Sequence, residues 1–172
     1  MDVIEVLKTG MSTELWGMRF YQQAAARTLD ETGKTVFETL VQEEQTHLDI
    51  ICGQYAAVTS GKGCVSMARA KELAATVDPL DIFPEAKTAG ELIPAEATDE
   101  QALQMAMDFE RRGYDIYAKA AAEAEAGDVK TMWGFLATAE DKHFAFLQET
   151  LEYLTTNGVW FFDEQELPFF EG

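Results

Sequence analysis

The chain has two histidines, and each stands three residues after a glutamate: Glu44 with His47, and Glu140 with His143. Positions i and i+3 of a helix share one face, so each pair would present a carboxylate and an imidazole together. These oxygen and nitrogen donors suit Fe, Mn, Co or Zn without choosing among them. A lone Glu-x-x-His on an acidic helix is more often a solvated face or a local hydrogen bond. Here each pair has a further glutamate thirty residues upstream, Glu14 and Glu110 respectively.

The reason for taking all six together is that the chain repeats itself at an offset of 96 residues. Leu7 falls on Leu103, Met11 on Met107, Glu14 on Glu110, Gly17 on Gly113 and Tyr21 on Tyr117. Further along, Phe37 meets Trp133, Leu40 meets Leu136, Glu44 meets Glu140 and His47 meets His143. Amphipathic helices share apolar positions by chance, but chance does not readily superpose the only two histidines.

All six candidates lie in apolar stripes. Glu14 lines up with Leu7, Met11, Met18 and Tyr21, and Glu110 with Leu103, Met107, Tyr114 and Tyr117. Leu40, Leu48 and Ile51 flank the first Glu-His pair; Leu136, Phe144 and Leu147 flank the second. Four buried carboxylates repel one another and need compensation, which two divalent cations supply. One Glu from each of two helices plus Glu-x-x-His from each of two others is the ligand set of dimetal helical bundles. Glu43, the neighbour of Glu44, is expected on a different face and outside the site.

Four long helices must position these groups. The first is expected over Val3–Glu31, with Asp2 as N-cap, Glu5 at the capping-box position and Gly33 beyond its end. The second runs from Lys34 to Val58. The third opens after Thr98, with Gln101 completing a capping box, and ends at Gly127. Asp128 caps the fourth, which stops at Asn157-Gly158. The halves, 2–58 and 98–156, would each form an antiparallel hairpin. Between them lies a segment, 59–97, with Pro79, Pro84 and Pro94 and a short helix expected near Val65–Thr76. Helices of about 27 residues are roughly 40 Å long, and a segment of this length can cross them. The fold class expected is all-α: a ferritin-like antiparallel four-helix bundle with one long crossover, in one domain spanning 1–172. A disordered linker between two separate hairpins is the alternative. The tail, 157–172, carries Trp160, Phe161, Phe162, Phe169 and Phe170. So many aromatics should pack on the bundle or at a dimer interface.

The doubled pattern E-x-x-G-x-x-x-Y-x-x-A-A followed by E-x-x-H resembles the rubrerythrin-type members of the ferritin-like superfamily. The resemblance covers nearly all of the chain outside the linker and tail. It implies two iron ions bridged by Glu44 and Glu140, with Glu14 and Glu110 as terminal carboxylates and His47 and His143 each on one iron. Tyr21 and Tyr117 would donate hydrogen bonds to ligands, with plain core packing as the other reading. Two departures stand out. Cys52 and Cys64 form no C-x-x-C pair, so the rubredoxin domain is missing and electrons would come from a separate carrier, such as a rubredoxin-type protein. Gly113 stands where typical rubrerythrin has an extra ligand glutamate.

A net charge of −18 repels nucleic-acid phosphates and anionic membranes and favours cations. No apolar run approaches a membrane span, and the N-terminal MDVIEVLKTG lacks the marks of a signal peptide. Two thiols without a disulfide fit a reducing cytoplasm. Two functions remain open: reduction of hydrogen peroxide or O₂ at a di-iron centre (a peroxidase or ferroxidase), or iron binding and handling without turnover. Manganese, zinc or mixed occupancy could replace iron.

Overall fold

Side-chain acceptors on the first free amides decide where most of these helices begin. In the computed structural model, which describes residues 2–59, 65–78, 82 and 91–162, α1 spans Val3–Arg27 and Asp2 Oδ1 accepts from the Ile4 amide at 2.9 Å. α2 spans Glu31–Thr59, and Asp30 Oδ1 accepts from Thr32 and Gly33 amides at 2.8 and 3.2 Å. α3, Met67–Ala74, starts on Ser66. α4, Asp99–Glu123, opens on the Thr98/Gln101 capping box. α5, Asp128–Asn157, ends at Gly158, whose φ of 70° supplies the left-handed cap.

Several boundaries differ from the sequence expectation. α1 stops at Arg27 and not at Glu31, because Asp30 caps the next helix and Arg27 turns to the carbonyls of Pro94 and Ala95 at 2.6 and 3.1 Å. Gly33 terminates nothing; it lies in the first turn of α2. A Cβ there would stand 2.6 Å from Thr28 Cγ2 and from the Trp160 ring, so glycine serves close packing. α4 ends at Glu123, short of Gly127. Asp128 is the first residue of α5; Gly127, at φ 143°, holds the cap position without a side-chain bond. Glu5 forms an ion pair with Lys8 at 2.7 Å in place of a capping box.

α1 pairs with α2 and α4 with α5; across the halves α1 meets α4 and α2 meets α5, and α3 lies on α1. The interior divides into two apolar clusters, one around Phe20, Phe37, Phe109 and Leu147, the other around Leu7, Leu48, Trp133 and Leu136. Along each long helix a candidate glutamate falls between residues of the two clusters, so the six groups occupy the middle of the bundle. The crossover is attached to it: Ile82, Leu92 and Ile93 are buried in the first cluster, and the Leu92 amide donates to Gln23 Oε1 at 3.1 Å. These contacts tie the described part of the crossover to the bundle.

The aromatic tail folds back as far as it is described. Trp160 packs edge-on against Phe37 and donates to Asp99 at 3.2 Å, while Phe161 and Phe162 meet Tyr153 and Phe146. Phe169 and Phe170 lie outside the described residues, as does Cys64; Cys52 is buried in the core. Among the described residues no helix is long and apolar enough to cross a membrane.

Candidate metal centre

The four long helices bring all six candidates together. Glu14, Glu44, Glu110, Glu140, His47 and His143 are each 3% exposed or less. His47 Nδ1 lies 3.6 Å from Glu14 Oε2 and 3.4 Å from Glu140 Oε1. His143 Nδ1 lies 3.5 Å from Glu44 Oε1 and 3.4 Å from Glu110 Oε2. The imidazoles stack at 5.2 Å, with planes 21° apart. Each histidine thus faces its own half's upstream glutamate and the other half's Glu-x-x-His glutamate.

Gly17 and Gly113 clear the space in between. A Cβ at 17 would stand 2.8 Å from the Phe109 ring and 2.9 Å from Glu44 Oε2, and one at 113 would stand 3.1 Å from Glu140 Oε2. The glycine of each E-x-x-G therefore leaves room for the carboxylate of the opposing helix of the site. A side chain at 113 would press on the Glu140 carboxylate, which would have to give by a few tenths of an ångström.

Charge makes this arrangement costly on its own. Burial, then the charges of Glu14 and Glu140, hold the Glu44 carboxyl well above its ordinary value. Burial and Glu110 do the same to Glu140. Burial also opposes ionisation of Glu14 and Glu110, but their neighbours overcome it: Glu44 and His47 lower Glu14, and His143 and Glu140 lower Glu110. Burial disfavours charged His143, yet Glu110 and Glu43 raise it to about 10.

The donor set fits metal binding. Glu14 Oε2, both Glu44 oxygens, Glu110 Oε2, Glu140 Oε1 and His47 Nδ1 are buried without a hydrogen-bond partner, which is expensive unless a cation takes the lone pairs. Donors about 2.1 Å from a first-row ion in a tetrahedral arrangement lie about 3.4 Å apart, close to the histidine-to-carboxylate spacings here. Glu44, His47, Glu140 and His143 each offer an atom within 4.8 Å of the others and could hold an ion.

The tyrosines are buried and also polar partners. Tyr21 donates to Glu110 Oε1, and Tyr117 to Glu14 Oε1, each reaching across to the other half. Glu43 overturns expectation. It is 4% exposed, and its Oε2 lies 3.9 Å from His143 Nε2. Glu43 and His47 stand at i and i+4, a spacing that places them on one side of α2 and would have flagged the residue. Its repeat counterpart is Ala139, so only one imidazole is backed by a carboxylate from that position.

The profile of the ferritin-like domain matches residues 2–153. The chain belongs to the ferritin-like domain family. The fold of this ferritin-like protein is shared with solved structures at low sequence identity. A hypothetical protein from Pyrococcus furiosus aligns with a TM-score of 0.67 and 20% identity over 91% of this chain and 92% of that one. A dodecameric thioferritin, the bacterioferritin-related protein from Bacteroides fragilis, aligns with a TM-score of 0.62 and 20% identity over 91% and 86%. No curated protein matches the ferritin-like chain.

Proposed function

We propose that this ferritin-like protein holds two metal ions, iron foremost, and reduces hydrogen peroxide or O₂ with electrons from a separate donor. The observation that carries this reading is the convergence of six buried ionisable side chains in two repeat-related sets. Glu14, His47 and Glu140 would hold one ion, and Glu110, His143 and Glu44 the other, with Glu44 and Glu140 shared between them. Bound iron would supply the redox change and Lewis acidity that side chains lack. The chain's own residues do the remaining work. Tyr21 and Tyr117 orient Glu110 and Glu14 by hydrogen bonding, Glu43 fixes the His143 ring, and the apolar clusters on both sides exclude water. Rubrerythrin-type chemistry, and a role against oxidative stress in the cytoplasm, follow from this reading. A rubredoxin-type protein would serve as donor.

Gly113 favours a second reading, iron binding or handling without turnover, because no carboxylate stands where the resemblance to rubrerythrin would place an extra ligand. The fold shared with a bacterioferritin-related protein points the same way. For the assembly we propose a homodimer, with exposed Phe135 and Phe161 as apolar surface; the dodecameric neighbour supplies the alternative, and light scattering separates them.

Anaerobic titration with Fe(II) tests the site, followed by peroxide or O₂ while ferric absorbance is recorded. Two ions per chain and rapid oxidation are expected. Fewer than two ions would undo the site, and two ions without oxidation would select the handling reading.

A further inference from the structure

The two halves differ where the repeat would make them alike. Tyr117, hydrogen-bonded to Glu14, stacks on the Trp133 indole with centroids 5.3 Å apart and planes 21° from parallel. Both rings are buried, at 0 and 1% exposure. Trp133 also lines a cavity of about 50 Å³ with Val3, Ala124 and Val129, at the end of the bundle where α1 begins and α4 turns into α5.

In the other half the counterpart of Trp133 is Phe37, stacked on Tyr21 at 6.3 Å and 24°. The rings placed against Tyr21 are Phe20, Phe37 and Phe109. Phenyl rings resist one-electron oxidation at potentials where phenol and indole yield. Among the described residues, then, Tyr117 stacks directly on a second oxidisable ring, whereas Phe37 stands between Tyr21 and Trp160. The packing accommodates the larger ring at a cost. A Cβ on Gly10 would stand 3.0 Å from Trp133 Cη2, so α1 carries a glycine where its counterpart in α4 is Ala106. Glycine inside a helix is less favourable than alanine.

We propose that Tyr117 and Trp133 form a one-electron relay between the Glu14 side of the metal centre and the α1/α4–α5 end of the bundle. Its physiological use rests on the metal-centre reading; the transfer between the two side chains does not. When a one-electron oxidant takes an electron from the Trp133 indole, Tyr117 passes one electron to the indole cation radical. Its phenolic proton goes to Glu14 Oε1. The products are a neutral indole, a tyrosyl radical and a protonated Glu14 carboxyl. In the opposite sense, a one-electron oxidant at the Glu14 side takes an electron from Tyr117 as its proton passes to Glu14 Oε1; the indole gives up an electron in its place, the proton returns to the phenol, and a one-electron donor at the bundle end reduces the indole cation radical.

The test uses metal-free protein in which Trp16 and Trp160 are replaced by Phe, leaving Trp133 as the sole indole. Azide radicals from pulse radiolysis are the oxidant. The relay predicts decay of tryptophyl absorbance matched by first-order growth of tyrosyl absorbance, at a rate independent of protein concentration. Tyr117→Phe, nearly isosteric and checked by near-ultraviolet circular dichroism, should abolish that growth, and Tyr21→Phe should leave it. Unchanged growth in Tyr117→Phe, or equal loss in Tyr21→Phe, overturns the relay. Because the cuvette holds no metal, absent transfer sinks the relay alone. A failed Fe(II) titration beside intact transfer sinks the metal reading alone.

Discussion

Metal loading should release up to three protons from the site, those of His143, Glu44 and Glu140. Without metal, Glu44 and Glu140 keep their protons to higher pH than an exposed glutamate, because burial and neighbouring carboxylates hold them well above the usual range. His143, raised to about 10, is an imidazolium. Glu14 and Glu110 lie below their ordinary values and are ionised. With all three of those protons in place these five groups carry a charge of about −1; with four carboxylates, neutral His143 and two divalent ions, the balance is about zero. A ligand must be deprotonated to bind, so each proton displaced makes joint affinity tenfold stronger per pH unit. Affinity therefore rises with pH, by about a thousandfold per unit where all three protons are still bound. The His143 share disappears above about pH 10. Calorimetric titration with Zn(II) in two buffers of unlike ionisation enthalpy counts the protons. Release of fewer than one, or affinity that falls as pH rises, would refute the assignment of charge within the site.

Three substitutions probe other parts of the argument. Glu44→Gln should leave fewer than two ions per chain while holding or raising the melting temperature of the metal-free protein, since it removes a carboxyl that burial disfavours as a charge; metal analysis beside calorimetry reads both. Glu43→Ala should weaken metal affinity about 10–100-fold, the usual cost of removing a partner behind a ligand histidine, measured by chelator competition. Gly33→Ala should destabilise by about 1–3 kcal/mol through overlap with Thr28 and Trp160. That sign opposes helix propensity, and urea denaturation decides it.

Much of the fold was legible because periodicity and caps agree with packing. The Thr98/Gln101 box and the Gly158 cap are where the sequence puts them, and the four long helices occur in the expected order with several ends moved. The misplaced boundaries share a cause. Gly33 resembles a helix breaker in isolation, and only the approach of Trp160, over 120 residues away, shows why it must lack a side chain. Asp30 was similarly absorbed into α1 because its capping role depends on which amides are free. At the site, the repeat exposed every residue that it duplicates. It was blind to Glu43, whose counterpart is alanine. Self-comparison finds the symmetric part of a site and misses what distinguishes its two sides.

The duplicated sets are not two sites placed side by side. His47 faces Glu140 from the other half as closely as it faces Glu14 from its own, and His143 treats Glu44 and Glu110 alike. The tyrosines cross as well, Tyr21 to Glu110 and Tyr117 to Glu14. Either hairpin alone would expose a carboxylate, a histidine and a tyrosine without their partners. The groups that converge on the centre are therefore also those that join the hairpins, and bound metal would favour the assembled bundle over any form in which the halves part. The crossover, anchored by Ile82, Leu92 and Ile93, favours the same pairing from outside. A chelator should thus lower the melting temperature of the loaded protein by more than it loosens local contacts. The transition should remain a single one, because Glu14–Tyr117 and Glu110–Tyr21 still tie the halves together when the metal is gone.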